Sequence, residues 1–329
     1  MTGGAGEGGS APAAGRMAAT EPFADMARAA AERFRGEAAQ SVGRFTTGAA
    51  NVVFEVTFVR APPLVVRMAR PQFRAACAGG AVLSRRLRPL GVPLPRLLHD
   101  GSGEPTPYLL LERLPGADLG RVVAGLSDAS LRHVARCVVS AQRIVAGLPA
   151  AGRYGYAVEP DRAPHSSWSE VLRAHLRRSR DRIAAAGLFD PGVAAAAGGL
   201  IDACAEALAR VPPTPFLHDT TLKNVIVTAE GEVSGIVDVD DLCFGDPRYV
   251  VALTTTALMN QAGSLRYVDH WLAEAGSARD RLFWLYVALF VVDFMSEHGQ
   301  PSNGNETPSL PADRERLQAM LAQVSARVV

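Results

Sequence analysis

Apolar positions follow two regimes along this chain. Between residues 42 and 112 they come in short β-branched or aliphatic runs. Val42-Gly43-Arg44-Phe45, Val52 to Phe58, and Leu64-Val65-Val66-Arg67-Met68 read as successive strands, with turns at Thr46 to Asn51 and at Pro62-Pro63. Tyr108-Leu109-Leu110-Leu111-Glu112 reads as a further strand. Its unbroken apolar run predicts burial on both faces. A short Ala-rich helix over Ala24–Phe34 precedes the strands, and a helix from about Phe73 to Leu87 interrupts them.

From Ser127 the period changes. Leu131, Val134, Val138 and Val139 recur at helical spacing up to Ala146, with Ser127 or Asp128 as cap and Gly147 and Pro149 as terminators. Residues 150–166 read as a loop. A helix over Ser167–Ala186 carries Arg173, Arg177, Arg178, Arg180 and Arg182, read as a solvated basic face, and another helix covers Ala194–Arg210. Further helices start near Tyr249, Leu265, Arg279 and Ala312. Strands first and helices afterwards predict an α+β fold with two lobes, divided as residues 21–112 and 113–329.

Composition narrows the class. The apolar fraction of 48% supports a substantial core, and the net charge of +1 gives no reason to expect nucleic acid or a membrane surface. Four cysteines without a C-x-x-C pair read as reduced thiols, so the expected compartment is cytoplasmic. Lys223 is the only lysine beside 33 arginines, so little can be read into any single Arg. The longest apolar run, Leu282 to Val292, is too short to span a bilayer. Residues 1–20, rich in Gly, Ala and Ser, read as a disordered tail rather than a signal peptide.

The densest candidate chemistry lies between Phe216 and Pro247. His218-Asp219 is followed by Asn224, then the strand Val225-Ile226-Val227. A turn over Ala229 to Glu232 leads to the return strand Ser234 to Val237, which ends on Asp238. The hairpin brings Asp219, Asn224 and Asp238 to one mouth. Two carboxylates and an amide oxygen suit a hard divalent cation that keeps several waters, with one carboxylate free to accept a proton.

This spacing resembles the catalytic and metal-binding loops of protein-kinase-like phosphotransferases. Gly245-Asp246-Pro247 narrows the resemblance to the aminoglycoside phosphotransferase and choline kinase branch. It implies a bilobal protein-kinase-like fold with a small antiparallel five-stranded lobe and a larger helical one. It also implies ATP as donor, Mg2+ held by Asn224 and Asp238, and Asp219 as base toward a small-molecule hydroxyl. Gly48 and Asn51 would belong to the turn over the phosphates, Arg67 would hold the α- and β-phosphates, and adenine would meet the hinge near Glu112 and Leu114. Asp246 would brace the catalytic loop, and His218 reads as a structural anchor.

The pattern departs from that family in places. The expected helix glutamate is replaced by Gly79, and no acidic residue lies between Glu55 and Asp100. Arg67 is therefore expected to be ordered chiefly by nucleotide and Asp238. Leu217 replaces the first histidine, and Thr221 stands where a Lys or His is usual. Lys223 points either to a phosphate or to solvent. Asp240 and Asp241 read as a solvated turn, with one able to join the metal site. Tyr286, Asp293 and Glu297 recur on one helix face and are candidates to line the acceptor site, alongside the bland reading of a core helix with a solvated last turn. No protein partner is implied. The competing readings are a nucleotide-binding pseudokinase without turnover and a protein kinase; the lack of an A-P-E segment counts against the latter.

Overall fold

A computed structural model describes residues 21–45, 51–300 and 309–329. The tail read at residues 1–20 and the turn glycine Gly48 lie outside the described residues. Five antiparallel strands form the first sheet: β1 (Ser41–Arg44), β2 (Val52–Thr57), β3 (Leu64–Met68), β4 (Leu97–Gly101) and β5 (Tyr108–Glu112), in the order β1-β2-β3-β5-β4. Alternation explains β2, where Val52, Phe54 and Val56 are buried and the residues between them are half-buried. That face meets α1 (Glu21–Arg35), whose Ala27, Ala30 and Ala31 allow close approach. In β5, Tyr108 and Leu110 pack on the α1 side. Leu109 packs on the other side, with Cys77 and Ala81 of α2 (Arg74–Leu87). A fully buried Leu or Phe contributes about 1.5–3 kcal/mol, so two-sided coverage makes this short sheet a firm roof.

The second lobe is mostly helical. Its helices are α3 (Leu119–Val122), α4 (Asp128–Ala146), α5 (Trp168–Ala186), α6 (Gly192–Ala203), α7 (Ala205–Ala209), α8 (Arg248–Asn260), α9 (Arg266–Ala275), α10 (Arg281–Glu297) and α11 (Pro311–Ser325). Ser127 is the α4 cap, its Oγ accepting from the Ser130 N–H at 3.1 Å. The apolar run from Leu282 to Val292 forms α10, buried from Leu282 through Val292 and packed against α5, α8 and α11. A helix apolar on all sides is a core helix.

Two small sheets carry the loops between the lobes. β6 (Ala117–Asp118), β9 (Val225–Val227) and β10 (Val233–Ile236) form one, in the order β10-β9-β6. β7 (Gly155–Ala157), β8 (Thr214–Phe216) and β11 (Leu242–Gly245) form the other, in the order β7-β11-β8. The Ile236 N–H donates to the Pro93 carbonyl at 2.8 Å, stitching the hairpin to the segment that enters β4. Two expectations change. The loop at 150–166 contains β7, which is too short to show a period and exists by pairing with β11. The helix expected over Ala194–Arg210 breaks at Cys204, whose backbone (φ −104, ψ 8) leaves the helical region between α6 and α7.

Candidate active site

The loop from Leu217 to Asn224 connects β8 to β9 and is shaped from below by Gln142 of α4. Gln142 Oε1 accepts from the Leu217 N–H at 2.9 Å, while Nε2 donates to the Leu217 carbonyl at 2.8 Å and to Thr220 Oγ1 at 2.7 Å. The Leu217 side chain is buried, so the loop is anchored through its backbone where a histidine was expected. Asn224 Nδ2 donates to the Asp219 carbonyl at 2.8 Å, which leaves Asn224 Oδ1 as the acceptor end. The Val237 N–H donates to the Asn224 carbonyl at 2.9 Å, fixing the strand end that presents Asp238. Asp238 has φ 63, a left-handed conformation that an L-residue adopts at a cost of about 1–3 kcal/mol and that clusters at functional sites.

Asn51, Arg67, Glu112, Leu114, Asn224 and Asp238 line a single cleft between the lobes. Its walls include the apolar side chains of Val53, Val65, Leu111, Ile226 and Val237. Lys223 also lines it, with Nζ 3.9 Å from Asp219 Oδ2. Asp219 is not among the residues that line the cleft and adjoins it through Lys223; its Oδ1 accepts from Thr221 Oγ1 at 3.3 Å. Among the described residues no group of three His, Cys, Asp or Glu is placed to cage a metal. The Asn224 amide oxygen and the Asp238 carboxylate are hard oxygen donors on one wall. Such a pair fits a cation that fills the rest of its shell with water and phosphate oxygens.

Residues 41–285 match the family model described as phosphotransferase enzyme family. The chain belongs to that family. No match was found among curated proteins. Among solved structures, this phosphotransferase is similar to a thermostable mutant of aminoglycoside phosphotransferase APH(4)-Ia in ternary complex with ADP and hygromycin B. The identity is 17% over 92% of this chain and 98% of that one, with a TM-score of 0.61. It is also similar to ADP-bound aminoglycoside phosphotransferase APH(2'')-Ib, at 11% identity over 91% and 98% of the two chains and a TM-score of 0.61. At such identities the likeness establishes the bilobal kinase-like fold.

The phosphotransferase surrounds Arg67 with acceptors. Arg67 is 7% exposed, its Nη2 lies 2.8 Å from Asp238 Oδ1, and its Nη1 donates to Asp240 Oδ1 at 2.6 Å. A second, very short contact joins Nη2 to Asp240 Oδ2. With its amide oxygen turned to the guanidinium, Asn51 accepts from Nη2 at 2.6 Å and from Nε at 3.1 Å. Burial works against the Arg67 charge, and Asp238 and Asp240 more than restore it. Of the two partners expected to order Arg67, nucleotide and Asp238, the Asp238 contact is present, and Asp240 and Asn51 add two that were not expected. The Asp240 turn is likewise half-buried rather than solvated, and burial raises its carboxyl above the usual range against the pull of Arg67.

Burial also raises the Asp219 carboxyl; Lys223 and His218 oppose that rise and Asp238 adds to it. His218 Nε2 lies 2.6 Å from Asp241 Oδ1. Burial alone would lower the His218 imidazole, and Asp241, Asp219 and Asp238 carry it upward instead. The Tyr156 ring packs edge-on to His218 at 4.8 Å and is 37% exposed.

The three acceptor-site candidates separate. Tyr286 is fully buried, and its hydroxyl donates to Asp246 Oδ2 at 2.9 Å and accepts from Trp168 Nε1 at 3.0 Å. It braces the aromatic cluster of Trp168, Tyr249 and Phe216 in the core, so its placement at the acceptor is corrected. The helix face that looked like an aromatic stripe is the core face of α10. Asp293 turns inward to α5, 2.9 Å from His175 Nε2 and 2.8 Å from the donating Ser179 Oγ. Burial opposes its ionisation, but His175, Arg178 and Ser179 hold it well below the usual carboxylate range. Glu297 is exposed at the end of α10, and its nearest charges are Asp293, Lys223, Arg182 and Arg178. All three residues lie beyond the segment matched to the family. Asp246 braces Arg248 through Oδ2 at 2.7 Å, and Arg248 reaches Asp280 at 2.6 Å. Sequence reasoning missed Gln142, Tyr156 and the part of Asp240. Gln142 carried no signal in a helix read by its apolar positions.

Proposed function

We propose that the protein transfers the γ-phosphoryl group of ATP, with Mg2+, to a hydroxyl of a small molecule. The observation that carries this reading is the cleft that brings Arg67, Asn51, Asn224 and Asp238 together beside Asp219. Adenine stacks between the apolar walls, with backbone groups near Glu112 and Leu114 at its edge. Asn224 Oδ1 and the Asp238 carboxylate would hold the metal ion. When bound, such an ion supplies neutralisation of the charge on the phosphate oxygens. Asp219 accepts the proton of the acceptor hydroxyl as its oxygen bonds to phosphorus and the bond to the β-phosphate oxygen breaks. A carboxyl raised by burial is a better proton acceptor than an ordinary one. Lys223 stands over the same gap as a cation toward the transferring group. The acceptor approaches on the side of Tyr156, His218 and Glu297. That mouth mixes acids with Arg178 and Arg182, so a polycation is not favoured over a neutral polyol.

The pseudokinase reading was motivated by Gly79, Leu217 and Thr221. Asp240 provides Arg67 with a carboxylate and Gln142 anchors the loop at Leu217, which removes two of those motives. Calorimetry with Mg·ATP, followed by ADP-release assays over hydroxylated metabolites and antibiotics, tests the proposal. Binding with a micromolar Kd and turnover on one acceptor class is the expected result. No Mg·ATP binding by folded protein refutes it.

A further inference from the structure

The ion pair at Arg67 has an unusual construction. In protein kinases the basic residue of the third strand pairs with a glutamate on the following helix. Here α2 contributes two buried glycines at that place. A Cβ on Gly80 would lie 2.7 Å from Asp240 Oδ1 and 3.2 Å from Arg67 Nη1, and one on Gly79 would strike the Asp240 carbonyl. The helix position aimed at Arg67 is therefore Gly80, and the space a side chain would fill there is occupied by Asp240. Its two oxygens meet both Nη atoms of Arg67, a fork-to-fork pair. Asp238 makes a single contact to Nη2, is more exposed at its side chain (38% against 21%), and lines the cleft, whereas Asp240 lies behind the lining.

We propose that Asp240 is the positioning residue for Arg67, delivering from the loop after β10 the carboxylate that kinases deliver from the helix, with Gly79 and Gly80 as the space that admits it. The inference rests on the nucleotide reading of the cleft. It assigns different work to the two acids: Asp240 fixes the guanidinium plane and Asp238 stays available to the metal. A planar guanidinium held by one fork keeps its orientation toward phosphate oxygens where a flexible ammonium would need a helix-borne partner. Gly80 follows from the same geometry. Any Cβ there pushes the Asp240 carboxylate off Arg67, although alanine ordinarily strengthens a helix.

A double-mutant cycle tests the assignment. Mg·ATP affinity is measured by calorimetry, and melting temperature alongside, for wild type, Asp240→Asn, Arg67→Met, the double variant, and Gly80→Ala. Asp240→Asn should weaken Mg·ATP at least tenfold. In the Arg67→Met background the same change should add less than threefold, because Asp240 acts through Arg67. Gly80→Ala, which alters no charge and serves if Asp240→Asn folds poorly, should weaken Mg·ATP severalfold and lower the melting temperature less than Asp240→Asn does, since the Asp240 charge stays nearby and Asp238 still pairs with Arg67. Wild-type affinity in Asp240→Asn and Gly80→Ala, or fully additive losses in the double variant, overturns the inference alone. Folded wild type that binds no Mg·ATP overturns the nucleotide reading, and this inference with it.

Discussion

Replacing Asp219 by Asn separates chemistry from binding at this site. The change is nearly isosteric, and the bond that shapes the loop runs from Asn224 Nδ2 to the Asp219 backbone carbonyl, so it survives. Thr221 Oγ1 can still donate to the side-chain oxygen at position 219. What disappears is the proposed proton acceptor. Loss of a general base costs 10² to 10⁴ in rate, about 3–5 kcal/mol in barrier. Turnover should fall by that factor while Mg·ATP affinity stays within about threefold, since the donors assigned to nucleotide and metal are untouched. Stability should move the other way. The folded-state pKa of Asp219 is raised, so its contribution to stability is fully present below the unfolded value and is lost as pH rises through the folded one. At pH 7 the carboxylate is therefore a burden, and Asn removes it. The side chain is about a quarter exposed and faces Lys223, which keeps the gain in melting temperature small. That gain should vanish below about pH 4, where the unfolded acid is also protonated. Steady-state kinetics, calorimetry and melts at pH 4 and pH 7 form the assay. Turnover within threefold of wild type would refute the assignment of Asp219 as base. A fall in Mg·ATP affinity equal to the fall in turnover would show that the residue holds nucleotide instead.

Other outcomes follow from the same geometry. Asp238→Ala should weaken ATP binding at least tenfold in the presence of Mg2+ and much less without it, read by calorimetry with and without chelator. The acid limb of the turnover–pH profile should lie above the ordinary carboxylate range, because Asp219 must lose its proton and burial raises its pKa; a limb at or below about pH 4 contradicts this. Asp293→Ala should cost about 3 kcal/mol, since it leaves His175 and Ser179 buried without their acceptor. Because its folded-state pKa is lowered, the Asp293 contribution is full above the unfolded value and fades as pH falls toward the folded one. Denaturation at pH 7 and pH 3 should therefore show the gap between wild type and variant narrowing at low pH. Tyr286→Phe should cost about 1–2 kcal/mol through the lost bridge between Asp246 and Trp168, with the KM for the acceptor unchanged; an altered KM would return Tyr286 to the acceptor site.

The sequence by itself determined the sheet and the hairpin of β9 and β10, because both depend on local patterns. Period-two alternation in β2, the two-sided apolar run of β5 and the paired runs of β9 and β10 are properties of nearby residues, which backbone geometry converts into strands, whereas the loop that carries Asp219 takes its shape from Gln142. Tertiary structure decided everything that depends on which side of an element meets which neighbour. Tyr286 and Glu297 share a helix face by period, yet one is sealed in the core and the other is exposed, because only packing against α5 and α8 fixes where the core ends. Gln142 is a polar residue in an amphipathic helix until the loop of β8 and β9 comes down on it. Gly79 reads as a missing glutamate in one dimension. In three dimensions it and Gly80 are the space filled by Asp240, about 160 residues further along the chain. An ion pair is a matter of a few ångströms, and sequence separation carries no information about that distance until the chain is folded.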